Sequence, residues 1–140
     1  EQEHIDATAG TYISLDREWQ DSDVIDIQFP MDLHLENLPN EENIVAILYG
    51  PIVLVGELGI EDMPDVYLTD NHVRNATINF VSPPRVPVLN VSKDDLLNHI
   101  EAVDGQPLTF KTSGIGSPHD VNLIPFYRLH HQRYTIYWKL

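Results

Sequence analysis

Two places in this chain set chemically able side chains next to one another. His130-His131 offers two imidazoles. Asp16 and Glu18 offer two carboxylates, with Arg17 between them and Trp19 beside them. Paired carboxylates hydrolyse glycosides when they stand ~5 Å or more apart across the scissile bond. Residues two apart on a strand share a face, so Asp16 and Glu18 could meet that need. The weightier expectation is a charge cluster on a sheet edge with Arg17 paired locally, because surface ion pairs are common. The histidine pair invites a metal. On a strand, however, adjacent residues point to opposite faces and cannot share one ion.

The other histidines, at positions 4, 34, 72, 99 and 119, show no ligand spacing among themselves. The chain has no cysteine, which removes thiol nucleophiles, disulfides and cysteine-held zinc. Neither a Gly-x-Ser-x-Gly elbow nor a phosphate-binding loop occurs. No catalytic residue, metal or cofactor is therefore expected. Aromatic rings are a third resource. Trp19, Tyr49, Tyr127, Tyr137 and Trp138 could stack on sugars, against the usual place of large aromatics in a core.

Charge narrows the partners. The net charge is −14. Residues 1–65 hold 16 acids and only Arg17, a net of −15, whereas residues 66–140 hold 6 acids and 7 bases, a net of +1. An acidic front half argues against nucleic acid and against an anionic membrane as partners. Its plain meaning is a solvated face; its sharper meanings are a basic partner or a calcium site. No apolar run reaches the ~18 residues of a membrane span. The length suits one domain, 10–140, behind a polar linker at 1–9. The chain opens at Glu1 without a signal peptide, as expected of a mature product or of a piece excised from a larger protein.

The elements that must position these residues read as β throughout. Thr11–Arg17 predicts a strand. Val24–Glu36 predicts a long one, with Ile25, Ile27, Phe29, Met31, Leu33 and Leu35 on a buried face and Asp26, Gln28, Asp32, His34 and Glu36 on a wet face. Pro30 then marks an edge or a bulge. Ile44–Leu48 and Ile52–Val55 are apolar on both faces and predict central strands, with Tyr49-Gly50-Pro51 kinking or turning the chain between them. Val66–Leu68 and Ala76–Val81 are weaker strand candidates. Ser92-Lys93-Asp94-Asp95 has capping-box spacing and predicts one short helix near 93–103, with Leu96, Leu97 and Ile100 as its buried stripe. Leu108–Lys111 predicts a strand. The glycine-containing loop Ser113–Pro118 leads into the final segment.

That final segment, Leu123–Trp138, is the densest aromatic run of the chain. From Tyr134 onward it alternates, with Tyr134, Ile136, Trp138 and Leu140 on one face. It is expected to close the sheet. Leu129-His130-His131-Gln132 lacks the glycine or asparagine of a tight hairpin, so this loop must be long or held by side chains. Together these elements predict a mainly β chain, a β-sandwich of short antiparallel strands.

Three segments resemble one family in content and in order. They are Tyr12–Trp19 followed by Phe29-Pro30-Met31; Leu48–Leu54 with Tyr49-Gly50-Pro51; and Ile124–Tyr127 through His130, Arg133-Tyr134 and Tyr137-Trp138. The chain resembles the C-terminal region of the bacterial β-L-arabinofuranosidase group, glycoside hydrolase family 127 and its relatives. In that group an (α/α)6 barrel carries a cysteine nucleophile and a zinc held largely by cysteines. The resemblance reaches only the β-sandwich that follows the barrel, and no cysteine is present here to carry that machinery.

The resemblance implies a non-catalytic accessory domain of a periplasmic or secreted bacterial glycoside hydrolase, not an enzyme by itself. Its expected partner is the catalytic barrel of the same parent protein, with a plant-type carbohydrate as a further ligand. An independent carbohydrate-binding module is the alternative. His130, Arg133 and Tyr134 in the last motif, and Arg17 and Trp19 in the first, are the candidates for interface or carbohydrate contact.

Overall fold

The computed structural model describes residues 5, 8, 10–64, 67–68 and 85–140. The two apolar runs at the centre of the sequence fold as expected. A meander of β1 (Leu33–Leu38), β2 (Glu41–Tyr49) and β3 (Ile52–Gly59) carries them, all antiparallel. Val45–Leu48 in β2 and Leu54–Gly56 in β3 are buried whichever way their side chains point. Gly50-Pro51 turns the chain between Tyr49 and Ile52, with Gly50 at φ +53°. That is the first turn position, where a type II′ hairpin needs glycine.

The remaining strands are β4 (Val88–Leu89), β5 (Ile100–Ala102), β6 (Phe110–Thr112), β7 (Gly116–Ser117), β8 (Asn122–Pro125), β9 (Arg133–Thr135) and β10 (Tyr137–Lys139). Among the described residues they form an eight-stranded antiparallel sheet, whose main path is β1-β2-β3-β8-β6-β5, and a two-stranded ribbon of β4 and β7. The large sheet curls, and β4 lies against β10. The protein is thus mainly β. Its core gathers Val45, Ile47, Leu54, Leu96, Phe110, Leu123 and Trp138 with their neighbours.

The closing segment does close the sheet, in a way that alternation alone does not reveal. β2 and β3 pair only near their turn, from Ile47–Tyr49 to Ile52–Leu54. Beyond that they splay. β9 enters the gap along β3, with Thr135 opposite Gly56; β10 leaves it along β2, with Trp138 opposite Val45. The expected single strand is therefore two short ones, broken at Ile136, where the Thr135 hydroxyl donates to the Tyr137 carbonyl at 2.8 Å. The indole of Trp138 is buried over Gly56. A Cβ on Gly56 would lie 2.5 Å from Trp138 Cζ2, so only glycine fits there. The Trp138 Nε1 is buried without a hydrogen-bond partner.

Other expectations are corrected. Among described residues before Leu33 there is no strand, so neither Thr11–Arg17 nor the first part of Val24–Glu36 pairs. Ile25, Ile27 and Phe29, expected on a buried face, are 57%, 68% and 69% exposed. Pro30 has no amide hydrogen to continue a ladder, and the sheet ends at β1. The short helix near 93–103 is a 3₁₀ turn of four residues, Leu96–His99. Asp95, not Ser92, stands at its N-cap and makes no side-chain cap bond; Ser92 closes the turn before it, its Oγ accepting from the Asp95 amide at 3.3 Å and donating to the Asp95 carboxylate at 2.8 Å. The helix stops there because Ile100–Ala102 pairs with β6, and the ladder overrides local propensity. The strand expected at Leu108–Lys111 begins two residues later. Ala76–Val81 and Val66 lie outside the described residues, and Tyr67-Leu68 is not strand. No helix among the described residues is long and apolar enough to cross a membrane.

Candidate functional site

The loop between β8 and β9 collects most of the candidate residues. A 3₁₀ turn, Phe126–Arg128, follows Pro125 and leads into Leu129-His130-His131-Gln132. This loop is held by side chains, as its lack of glycine demands. Gln132 Nε2 donates to Glu57 Oε1 at 2.7 Å, and Arg133 Nη2 donates to the Asp62 carbonyl at 3.0 Å. His131 Nδ1 lies 2.9 Å from the Tyr67 carbonyl oxygen, and His131 takes the left-handed φ of 51° that the turn requires. Histidine is one of the side chains that tolerate this region. His130-His131 is therefore a loop pair and not a strand pair. Its rings stand 6.1 Å apart between centroids and 40° between planes.

This arrangement divides the candidates by role. Arg133 ties the loop to the protein's own backbone. His130 is exposed and Tyr134 stays partly exposed, its ring 5.6 Å from that of Phe126. Tyr127, also exposed, has the Arg128 guanidinium 5.7 Å from its ring centroid, and Arg128 reaches back to the Pro107 carbonyl at 2.7 Å. Phe126 and Tyr134 thus form an exposed aromatic ridge, with Tyr127 and His130 exposed on the same loop and the Arg128 guanidinium beside the Tyr127 ring. Such a ridge can stack on sugar rings or pack against a protein. Tyr49 and Trp138, by contrast, belong to the core: Tyr49 packs its ring 5.1 Å from Phe110.

Arg17 and Trp19 form a separate local cluster. Arg17 pairs with Asp23 at 3.2 Å and lies 5.2 Å from the Trp19 ring centroid. Arg17 is paired locally, as expected, and the whole group sits on the exposed stretch before β1. Asp16 and Glu18 are exposed there too. Nearby, Phe29, Pro30, Asp32, His34, Gly50 and Pro51 line an open cleft of about 460 Å³. No three metal-ligating side chains gather among the described residues.

Asp120 carries no sequence motif. Asp120 Oδ1 accepts hydrogen bonds from Thr112 Oγ1 at 2.9 Å and from the amides of Ile115 and Gly116 at 3.2 and 2.8 Å, while its Oδ2 accepts from the Gly114 amide at 2.7 Å. A ring of donors favours the charged form. The Gly114 and Gly116 amides above all hold the carboxyl down at about 2. Three of the four donors are amides of residues 114–116 and the fourth is the hydroxyl at the end of β6, so Asp120 ties its own loop and its role is structural. Gly116 has to be glycine, since a Cβ there would meet the His119 carbonyl oxygen. The usable signal was an aspartate after a glycine-rich loop, whose free amides need an acceptor.

The model of a family described as a domain of unknown function matches residues 34–140. That match begins at β1 and ends with the last residue after β10, so it spans the sheet and leaves out the exposed stretch before it. No curated protein matches the chain.

Proposed function

The chain belongs to the DUF4986 family, a domain of unknown function, and from that premise we propose that it is a non-catalytic accessory domain of a secreted or periplasmic bacterial glycoside hydrolase of the β-L-arabinofuranosidase type. It packs on a catalytic barrel and supports it. One observation carries the proposal. Two of the three segments that resemble that group, Leu48–Leu54 and Ile124–Trp138, are neighbours in space: the first is the hairpin turn, and the second is the wedge that fills its splay. Those two segments therefore fall on one structural unit, whereas the first, Tyr12–Trp19 with Phe29–Met31, lies on the exposed stretch before the sheet.

The exposed ridge of Phe126 and Tyr134, with Tyr127 and His130 exposed on its loop, is the surface proposed to meet the barrel. Aromatic and arginine side chains are the usual anchors of such contacts. The test replaces His130 and Arg133 by alanine, in this chain and in the parent enzyme. His130→Ala should leave the melting of this chain unchanged and lower stability or activity of the parent. Arg133→Ala should loosen both. No effect of His130→Ala in the parent would end the interface role. The same proposal requires that this chain alone not hydrolyse an aryl arabinofuranoside, and turnover abolished by Asp16→Asn or Glu18→Gln would contradict it.

An independent carbohydrate-binding module is the second reading, favoured by the exposure of Tyr127 and Phe126. Affinity electrophoresis against plant polysaccharides separates the two. Retardation lost in Tyr127→Ala supports the module, and unretarded migration supports the accessory role.

A further inference from the structure

The stretch before β1 carries the pattern of a strand without a ladder. Val24, Ile25, Ile27 and Phe29 are 85%, 57%, 68% and 69% exposed, and Tyr12 and Trp19 are also exposed. Lone exposed apolar side chains are ordinary, but a contiguous run of them marks an interaction surface. Ile25, Ile27 and Phe29 share the odd-numbered parity of Leu33 and Leu35, which pack against the core. The strand they lead into, β1, is the terminal strand of the large sheet, and its outer edge is unpaired among the described residues.

Charge selects what can cover this face. Residues 10–36 carry Asp16, Glu18, Asp21, Asp23, Asp26, Asp32 and Glu36 against one base, Arg17, which Asp23 already neutralises. Nucleic acid and anionic lipid are repelled. A second copy is disfavoured as well, since each copy brings the same net negative charge to the shared edge. The remaining match is a protein that offers an apolar strip flanked by lysine or arginine.

We propose that residues 24–36 form a docking strand, which adds β1 and the stretch leading into it to a partner protein whose apolar strip is rimmed by cationic side chains. Backbone pairing at the β1 edge supplies affinity and the alternating side chains supply specificity, as in strand addition generally. Nine residues, from Val24 to Asp32, extend such a contact by about 30 Å beyond the sheet at ~3.3 Å each. This inference does not depend on the accessory-domain proposal.

The test uses the full chain and two short labelled peptides, one alternating valine with lysine and one alternating valine with glutamate, read by fluorescence anisotropy. The lysine peptide should bind, weaken by about tenfold or more between low and high salt, and lose binding by about tenfold or more in Ile25→Asp/Ile27→Asp. The variant should melt like the parent chain, and the glutamate peptide should not bind. Equal binding by the variant, or binding of the glutamate peptide, overturns the proposal. So does a fall in melting temperature of the variant, which would place these residues inside the domain. Sedimentation showing a dimer that the variant loses would assign the face to a second copy and overturn it equally.

Discussion

The first and last strand-like stretches of this chain have the same kind of pattern and opposite fates. Ile25-Asp26-Ile27-Gln28-Phe29 alternates as cleanly as Tyr134–Leu140, and both are rich in large apolar residues. Yet Trp138 is 1% exposed and Phe29 is 69% exposed. The difference lies in what each meets. The closing segment finds two unpaired strand edges, because β2 and β3 separate beyond their turn, and it can pair on both sides of its own bend. Among the described residues the front stretch finds only the outer edge of β1, which is its own continuation. Alternation specifies which side chains share a face; it does not specify whether a partner exists.

The comparison can be broken most severely at Trp138. Trp138→Ala should cost ~3–5 kcal/mol in urea unfolding, by lost transfer energy and the cavity left behind. A cost no larger than that of Phe29→Ala would mean that the wedge is not what closes the sheet. Next in size, Gly56→Ala should cost ~1–3 kcal/mol by overpacking against the indole. Trp138→Phe should recover part of that loss, giving a favourable coupling in a double-mutant cycle.

Asp120 holds together the loop that follows β6. Its carboxyl is held at about 2, below the ordinary 3.8. A depressed folded pKa gives stability that is present above the unfolded value and lost as pH falls toward the folded one. Melting temperature should therefore fall as pH drops from about 4 to about 2. Asp120→Asn should melt lower at neutral pH and show a shallower slope through that acid window. An unchanged slope would remove Asp120 as the staple of its loop. The smallest effect belongs to Phe29→Ala, expected within ~0.5 kcal/mol of the parent as for most exposed sites.

Much of the fold was legible because burial on both faces is a strong signal. Ile44–Leu48 and Ile52–Val55 could be nothing but central strands, and Gly50-Pro51 could turn between them. The loop at Leu129–Gln132 announced its need for side-chain support, which Gln132, His131 and Arg133 supply. Three features were not legible. The splay of β2 from β3 is a property of the whole sheet. The 93–103 segment has capping-box spacing and a helical stripe, but a neighbouring strand captures Ile100. Asp120 works through backbone amides, which carry no sequence identity. Of the candidate site, the aromatic ridge was visible in composition. That Arg133 faces inward, to the Asp62 carbonyl, while His130 faces solvent depends on a loop conformation that residue types do not encode.

Amide hydrogen exchange on the intact chain reads both stretches in one sample. The amides of β2, β3, β9 and β10 that bond across the wedge should exchange together, at the rate set by global unfolding. The amides of residues 12–29 should exchange at open-chain rates. Protection of residues 24–29 equal to that of β10, or exchange of β9 and β10 well ahead of β2 and β3, would contradict the account.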